Sequence, residues 1–257
     1  MKGLLIVSFV FVCYVILMFI TVFVSNEQLK ISHKSWDDLI SDCFYINMDS
    51  ATERMNYMET NFTKHGIDCE RFSAINGVED LCDHQEVTKG AMGCKLSHLY
   101  LLKKVKRGGW TIIFEDDILF PDTNDMKGDI VNYLDSVPPD AELVFFGTST
   151  LSIIGALITG SFKKVNPGVF KTSFNLTCGH AYAITYEGAQ KWISEIEEFL
   201  CLFPFDMHSK GIEYIYLCTK KSNLISLVGW NNTSYICQNK KKFGYLDSQI
   251  TTYIPKI

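Results

Sequence analysis

The run Thr111-Ile-Ile-Phe114 is apolar at three of its four positions and stops at three consecutive carboxylates, Glu115-Asp116-Asp117. A short apolar run of this kind reads as a buried strand. Strands disfavour aspartate, and adjacent carboxylates repel one another. The triplet therefore belongs at the strand's end, in open solvent or beside a compensating charge. In open α/β sheets ligands gather beyond the carboxyl ends of strands. A hard divalent cation, Mn²⁺ or Mg²⁺, takes one or two protein carboxylates and fills its octahedron with phosphate oxygens and water. Taken alone, the tripeptide reads equally well as a charged turn.

The chain around it alternates strand and helix. Cys43 to Met48 reads as a buried strand, and Ser50-Ala-Thr-Glu53 follows with the spacing of a capping box. Met55, Met58 and Phe62 recur at helical spacing up to a stop at Gly66. Residues 69–75 read as a second strand, and Leu96, Leu99, Leu102 and Val105 mark a helix ended by Gly108-Gly109. A helix over 127–136 and a strand over 142–146 follow. Residues 147–177, rich in Gly, Ser and Thr without clear period, read as loops or a lid. A strand over 178–185, a helix with Ala189, Trp192, Ile193, Ile196 and Phe199, and short strands near 214–218 and 224–228 complete the pattern. Strands alternating with amphipathic helices predict one mixed α/β domain over 42–257.

Upstream, residues 4–24 carry no charge over 21 positions. At about 1.5 Å per helical residue, that length spans a hydrocarbon core of about 30 Å. A cleaved signal peptide would have a shorter apolar region and a small-residue cleavage site. The reading is a transmembrane signal-anchor, then a polar stem over 25–41. The N-terminus is expected to be cytoplasmic and the rest luminal or extracytoplasmic, on a thin excess of basic residues. Eight of the nine cysteines lie beyond the span, an even number suited to disulfides, with no CxxC pair to suggest a zinc ribbon. Sequence does not choose among their pairings. Sequons at Asn61, Asn175, Asn231 and Asn232 also fit a lumen. The net charge of −5 and scattered basic residues argue against a nucleic-acid partner.

Four motifs occur in order: Tyr45-Ile-Asn-Met-Asp-Ser-Ala-Thr-Glu-Arg54, Gly90-Ala-Met-Gly-Cys-Lys-Leu-Ser-His98, Ile112-Ile-Phe-Glu-Asp-Asp-Ile118, and Gly179-His-Ala-Tyr182 with Pro204-Phe-Asp206 beyond it. Together they resemble glycosyltransferase family 25, which includes lipopolysaccharide glycosyltransferases and procollagen galactosyltransferases. The resemblance implies a GT-A type, Rossmann-like fold with a mixed sheet, a UDP-hexose donor and a divalent metal, usually Mn²⁺. The expected reaction is inverting transfer of galactose or glucose to a hydroxyl of a glycan, lipid-linked saccharide or protein.

The resemblance also implies roles. Asp117, with Glu115 or Asp116, would hold the metal, and Asp206 would take the acceptor's proton. A helix N-cap is the plainer reading of Asp206. Arg54 would meet the donor's phosphates or base, and Asn47 and Asp49 the nucleoside. Ser97 and His98 would line the donor site, although a hydrogen-bonded structural histidine is an equal reading. Trp230 and Tyr235 could stack on a sugar, or simply be buried. Two departures stand out: Ser50 replaces the family's first arginine, and Asn76 replaces a carboxylate. They sustain a second reading, a catalytically inactive member serving as a glycan-binding or scaffolding module. A metal-dependent phosphohydrolase is weaker, since no histidine-rich second metal site accompanies the triplet.

Overall fold

The computed structural model describes residues 30–77, 88–121, 123–147, 155–156, 158–173, 179–202, 205, 215–218 and 237–238. The apolar segment 4–24, Asp206, the segment 224–228, Trp230 and Tyr235 lie outside them. No helix among the described residues is long and apolar enough to cross a membrane.

The elements run α1 (Trp36–Leu39), β1 (Ile40–Asn47), α2 (Thr52–His65), β2 (Glu70–Ser73), α3 (Lys89–Lys104), β3 (Trp110–Glu115), β4 (Ile118–Leu119), α4 (Met126–Ser136) and β5 (Leu143–Phe145). After them come β6 (Phe162–Asn166), β7 (Val169–Thr172), β8 (Ala181–Ile184), α5 (Tyr186–Glu198), β9 (Ile215–Cys218) and β10 (Cys237–Gln238). Eight strands form one mixed sheet in the order β2-β1-β3-β8-β5-β9-β7-β6, and β4 pairs with β10. β1 runs parallel to both β2 and β3, whereas β8 is antiparallel to β3.

Both faces of the sheet are covered, which is why its strands read as continuous apolar runs. Tyr45, Ile112, Phe114 and Val144 point to one face, against Met58 and Phe62 of α2 and Ile130 and Leu134 of α4. Phe44, Ile113, Phe145 and Tyr182 point to the other, against Leu99 and Leu102 of α3 and Trp192 and Ile196 of α5. The period-two alternation of strand side chains thus sorts β1 and β3 into two cores.

Several local devices differ from expectation. The Ser50 capping box does not form: α2 begins one residue later, with Ala51 at its N-cap and no side-chain cap. Ala51 N–H donates to Met48 O at 2.9 Å, so a tight turn takes up Asp49 and Ser50 before the helix starts. Serine–acid spacing works instead at α1, where the Ser35 amide and hydroxyl both donate to Asp38 Oδ2 at 2.7 Å. Gly66 does end α2, at φ +63°, a left-handed value that favours glycine. Within 147–177 the structure holds the β6–β7 hairpin, turning at Pro167-Gly168 with Gly168 at φ +71°. The stretch 25–41 is not all stem, because Ser32 and Lys34 bond Asn132 and Asp135 of α4.

A disulfide joins Cys43 of β1 to Cys69, just ahead of β2, fastening neighbouring parallel strands. Inside the second core Lys95 is fully buried and its ammonium donates to Leu200 O at 2.5 Å. Desolvation pushes this lysine down to about 8.

The first half of α3 lies directly under the segment that follows β2. Ser97 Oγ accepts from Ile75 N–H at 2.8 Å and donates to Gly93 O at 2.7 Å. A Cβ on Gly93 would collide with the Ile75 carbonyl oxygen. Gly93→Ala should therefore cost about 1–3 kcal/mol, a fall of several degrees in melting temperature. Ser97→Ala should cost a similar amount, about 1–3 kcal/mol, by orphaning the Ile75 amide. Thermal unfolding followed by circular dichroism checks both, and unchanged midpoints would contradict this account of the packing.

Candidate functional site

The carboxyl ends of β1 and β3, the chain leaving β2, and the opening turns of α2 and α3 enclose a cleft of about 810 Å³. Its wall includes Asn47, Ser50, Arg54, Asn76, Lys89, Cys94, Ser97, His98, Glu115, Asp116 and Asp117. Parallel β1, β2 and β3 all end at this rim, so the polar residues following each apolar run converge there.

The three carboxylates face different partners. Asp116 is 8% exposed; its Oδ1 accepts from Arg54 Nη1 at 3.0 Å and its Oδ2 from Asn47 Nδ2 at 2.7 Å. Burial pushes the Asp116 carboxyl up, and Arg54 and Asn47 pull it back. Glu115 faces α3 instead: its Oε1 lies 3.2 Å from His98 Nε2 and 3.9 Å from Cys94 Sγ. Asp117, 7% exposed, lines the cleft.

Asn47 is held on both polar atoms of its side chain. Its Nδ2 also donates to Ala51 O at 3.2 Å, and its Oδ1 accepts from Arg71 Nε at 2.9 Å. Arg71 reaches on to Asp49 Oδ1 at 2.6 Å, where Ser73 Oγ also donates at 2.8 Å. The Arg71 hydrogen bond, and then that of Ser73, hold the Asp49 carboxyl below its usual range. Asp49 is exposed and is absent from the cleft wall. Ser97 is fully buried and bonded as described above, as a pin between α3 and Ile75.

His98 is also fully buried. Its Nδ1 lies 3.0 Å from the Tyr182 hydroxyl, and its ring stacks on Phe205 with centroids 3.8 Å apart. Burial pushes the Tyr182 phenol well above its ordinary value, so it stays protonated. Because β8 runs antiparallel to β3, Tyr182 sits opposite Ile113 and meets α3 on the same face. Gly179 is needed here as well, since a Cβ would lie 2.9 Å from the Phe205 ring.

The structure thus brings Asn47, Arg54, Ser97, His98, Glu115, Asp116 and Asp117 to one cleft and leaves Asp49 beside it. Arg71, Cys94 and Tyr182 are participants that sequence reasoning gave no role. For Cys94 a signal existed, since it stands one helical turn before His98.

Arg54→Ala would leave the Asp116 carboxylate buried without that cation, and Asp116→Ala would remove the carboxylate that the Arg54 guanidinium meets at 3.0 Å. Each should lower stability by about 3 kcal/mol or more, with the double variant losing much less than the sum. A double-mutant cycle by urea denaturation checks this, and additive losses would refute the clamp.

Comparison with known proteins matches this pattern. The family model described as "Glycosyltransferase family 25 (LPS biosynthesis protein)" matches residues 40–208. A "Glycosyltransferase 25 family member" of Drosophila melanogaster is 26% identical over 200 residues, covering 64% of this chain and 31% of that protein. One from Aedes aegypti is 26% identical over 179 residues, covering 61% and 28%. The chain therefore spans about a third of the length of these curated relatives. A solved glycosyltransferase "involved in the glycosylation of the major capsid of PBCV-1" superimposes with a TM-score of 0.34 at 12% identity, covering 62% of this chain and 67% of that one. That structural likeness is too slight to argue from. The family match takes in β1 through α5 and every described cleft residue, and the chain belongs to glycosyltransferase family 25.

Proposed function

We propose that the chain is a metal-dependent, inverting hexosyltransferase that moves galactose or glucose from a UDP-sugar to an acceptor hydroxyl on a glycan, lipid-linked saccharide or protein. The observation that carries the proposal is the cleft itself, where the carboxylates at the end of β3 share a wall with Arg54 and Glu53 of α2 and Lys89 of α3. Lys89 and Gly90, in the first turn of α3, belong to its wall, and a helix N-terminus suits a diphosphate. Arg54 adds positive charge on the α2 side. Family membership favours a GT-A type arrangement of the mixed sheet.

The donor set suits a hard cation such as Mn²⁺ or Mg²⁺. Asp117 supplies a carboxylate in the cleft wall and Glu115 ends β3 two residues before it, in keeping with one or two protein carboxylates per ion. When bound, such an ion neutralises charge on the departing diphosphate. Asp116 does a different job, holding Arg54 and Asn47 in place. Asp206 is the proposed base; it follows Phe205, whose ring packs on His98 in the cleft wall. Residues 4–24 are proposed to anchor the chain in a membrane, with the catalytic domain on the luminal or extracytoplasmic side.

The full chain, purified in detergent, is assayed for UDP release from UDP-galactose and UDP-glucose with candidate acceptors, with and without Mn²⁺. Asp117→Asn should lower kcat on the order of 10²-fold through lost electrostatic stabilisation. Asp206→Asn should lower it about 10²-fold or more through loss of the base. Turnover unaffected by chelation and by Asp117→Asn would overturn the metal-dependent mechanism. UDP-sugar or glycan binding without turnover would favour the non-catalytic reading that Ser50 and Asn76 sustain.

A further inference from the structure

The geometry points to a second metal site in the cleft wall, selective for a soft or borderline cation such as Zn²⁺, formed by Cys94, His98 and Glu115. Sγ of Cys94, a ring nitrogen of His98 and a Glu115 carboxylate oxygen all lie within 4.8 Å of one another. Cys94 and His98 are one helical turn apart on α3 and so share a face, and Glu115 ends the strand beneath that face.

Two of the separations come within about 0.3 Å of those in a tetrahedral zinc site. With Zn–S about 2.3 Å and Zn–N and Zn–O about 2.0–2.2 Å, tetrahedral angles put N and O about 3.4 Å apart and S and O about 3.6 Å apart. The corresponding distances here are 3.2 Å for His98 Nε2 to Glu115 Oε1 and 3.9 Å for Cys94 Sγ to the same oxygen. Cys94 is in no disulfide, and its sulfur can ligate as a thiolate after giving its proton to solvent.

The outer shell is also in place. Metal-bound histidines donate the N–H of their second ring nitrogen to a fixed oxygen, which sets the tautomer. His98 Nδ1 lies 3.0 Å from the buried Tyr182 hydroxyl, and the Phe205 ring fixes the plane of the imidazole. With Nδ1–H donated to Tyr182, the Nε2 lone pair points toward Glu115 and Cys94. The competing arrangement has the Tyr182 hydroxyl donating to Nδ1 and Nε2–H donating to Glu115, with a proton where the ion would be. Three protein ligands leave a fourth position, and all three residues line the cleft, so an oxygen ligand from water or substrate can complete the set. Thiolate and imidazole favour zinc over manganese or magnesium, which distinguishes this site from the carboxylate site proposed at Asp117, with which it shares Glu115 alone.

The test uses the full chain in detergent, stripped of metal and titrated anaerobically with Co²⁺ as a spectroscopic probe. One equivalent should give the intense visible bands of tetrahedral cobalt and a near-ultraviolet thiolate-to-cobalt charge-transfer band. Zn²⁺ should displace it, and Mg²⁺ should not. Cys94→Ser should abolish the charge-transfer band and weaken Zn²⁺ binding at least tenfold, whereas Asp117→Asn should leave both intact. In the unaltered chain, Zn²⁺ but not Mg²⁺ should slow alkylation of Cys94, read by peptide mass spectrometry; this measurement stands even where the serine variant fails to fold. The proposal is overturned by absence of the band in folded protein, by its persistence in Cys94→Ser, by its loss in Asp117→Asn, or by alkylation indifferent to Zn²⁺.

Discussion

A carboxylate taken out of water must be met by charge or by several hydrogen bonds, and Asp116 is met by both. Its two oxygens receive the Arg54 guanidinium from α2 and the Asn47 amide from β1. Asn47 in turn receives Arg71 from β2, which also grips Asp49. One buried anion thereby fixes the ends of β3, β1 and β2 and the first turn of α2 relative to one another. Such a pair adds little net stability compared with an apolar replacement. Its effect is positional, because those same four ends, together with the first half of α3, make the cleft.

Much of the framework was legible in the sequence. The strand-to-carboxylate transition at Phe114-Glu115 lies where β3 ends, and the motifs around Asn47, His98 and Asp117 converge as the parallel strands require. Other features were not legible, for physical reasons. Three adjacent carboxylates look alike in one dimension, yet side chains near a strand's end point different ways, so Glu115 turns to α3 and Asp116 to α2. Serine three residues before glutamate signals a capping box only if the chain enters the helix at the serine. The turn at Asp49-Ser50 postpones that entry. The β6–β7 hairpin lacked an apolar alternation, although Asn166-Pro-Gly168 was a turn signal. Arg71 and Tyr182 act across elements far apart in the chain, and single-sequence periodicity carries no such information.

The mixed polarity of the sheet explains the site's asymmetry. Where strands run parallel, β1, β2 and β3 deliver their ends to one rim. Where β8 reverses beside β3, the beginning of a strand is delivered there instead, bringing the His180 carbonyl to the Glu115 amide at 2.8 Å and Tyr182 to His98. A wholly parallel sheet would place a strand's carboxyl end beside Glu115. Reversal of β8 is thus the topological reason that a phenol backs the imidazole.

The buried ammonium of Lys95 gives the molecule an unusual response to alkali. Its value of about 8 is lower than the 10.5 of a free lysine, so the folded state binds its proton less readily than the unfolded chain does. Below pH 8 the whole cost of burying the charge is borne by the fold. Between about 8 and 10.5 that cost is progressively relieved, and this contribution to stability rises with pH. Buried as it is, this lysine favours the fold for losing its proton, and its contribution to folding stability is larger in mildly basic surroundings than in neutral ones.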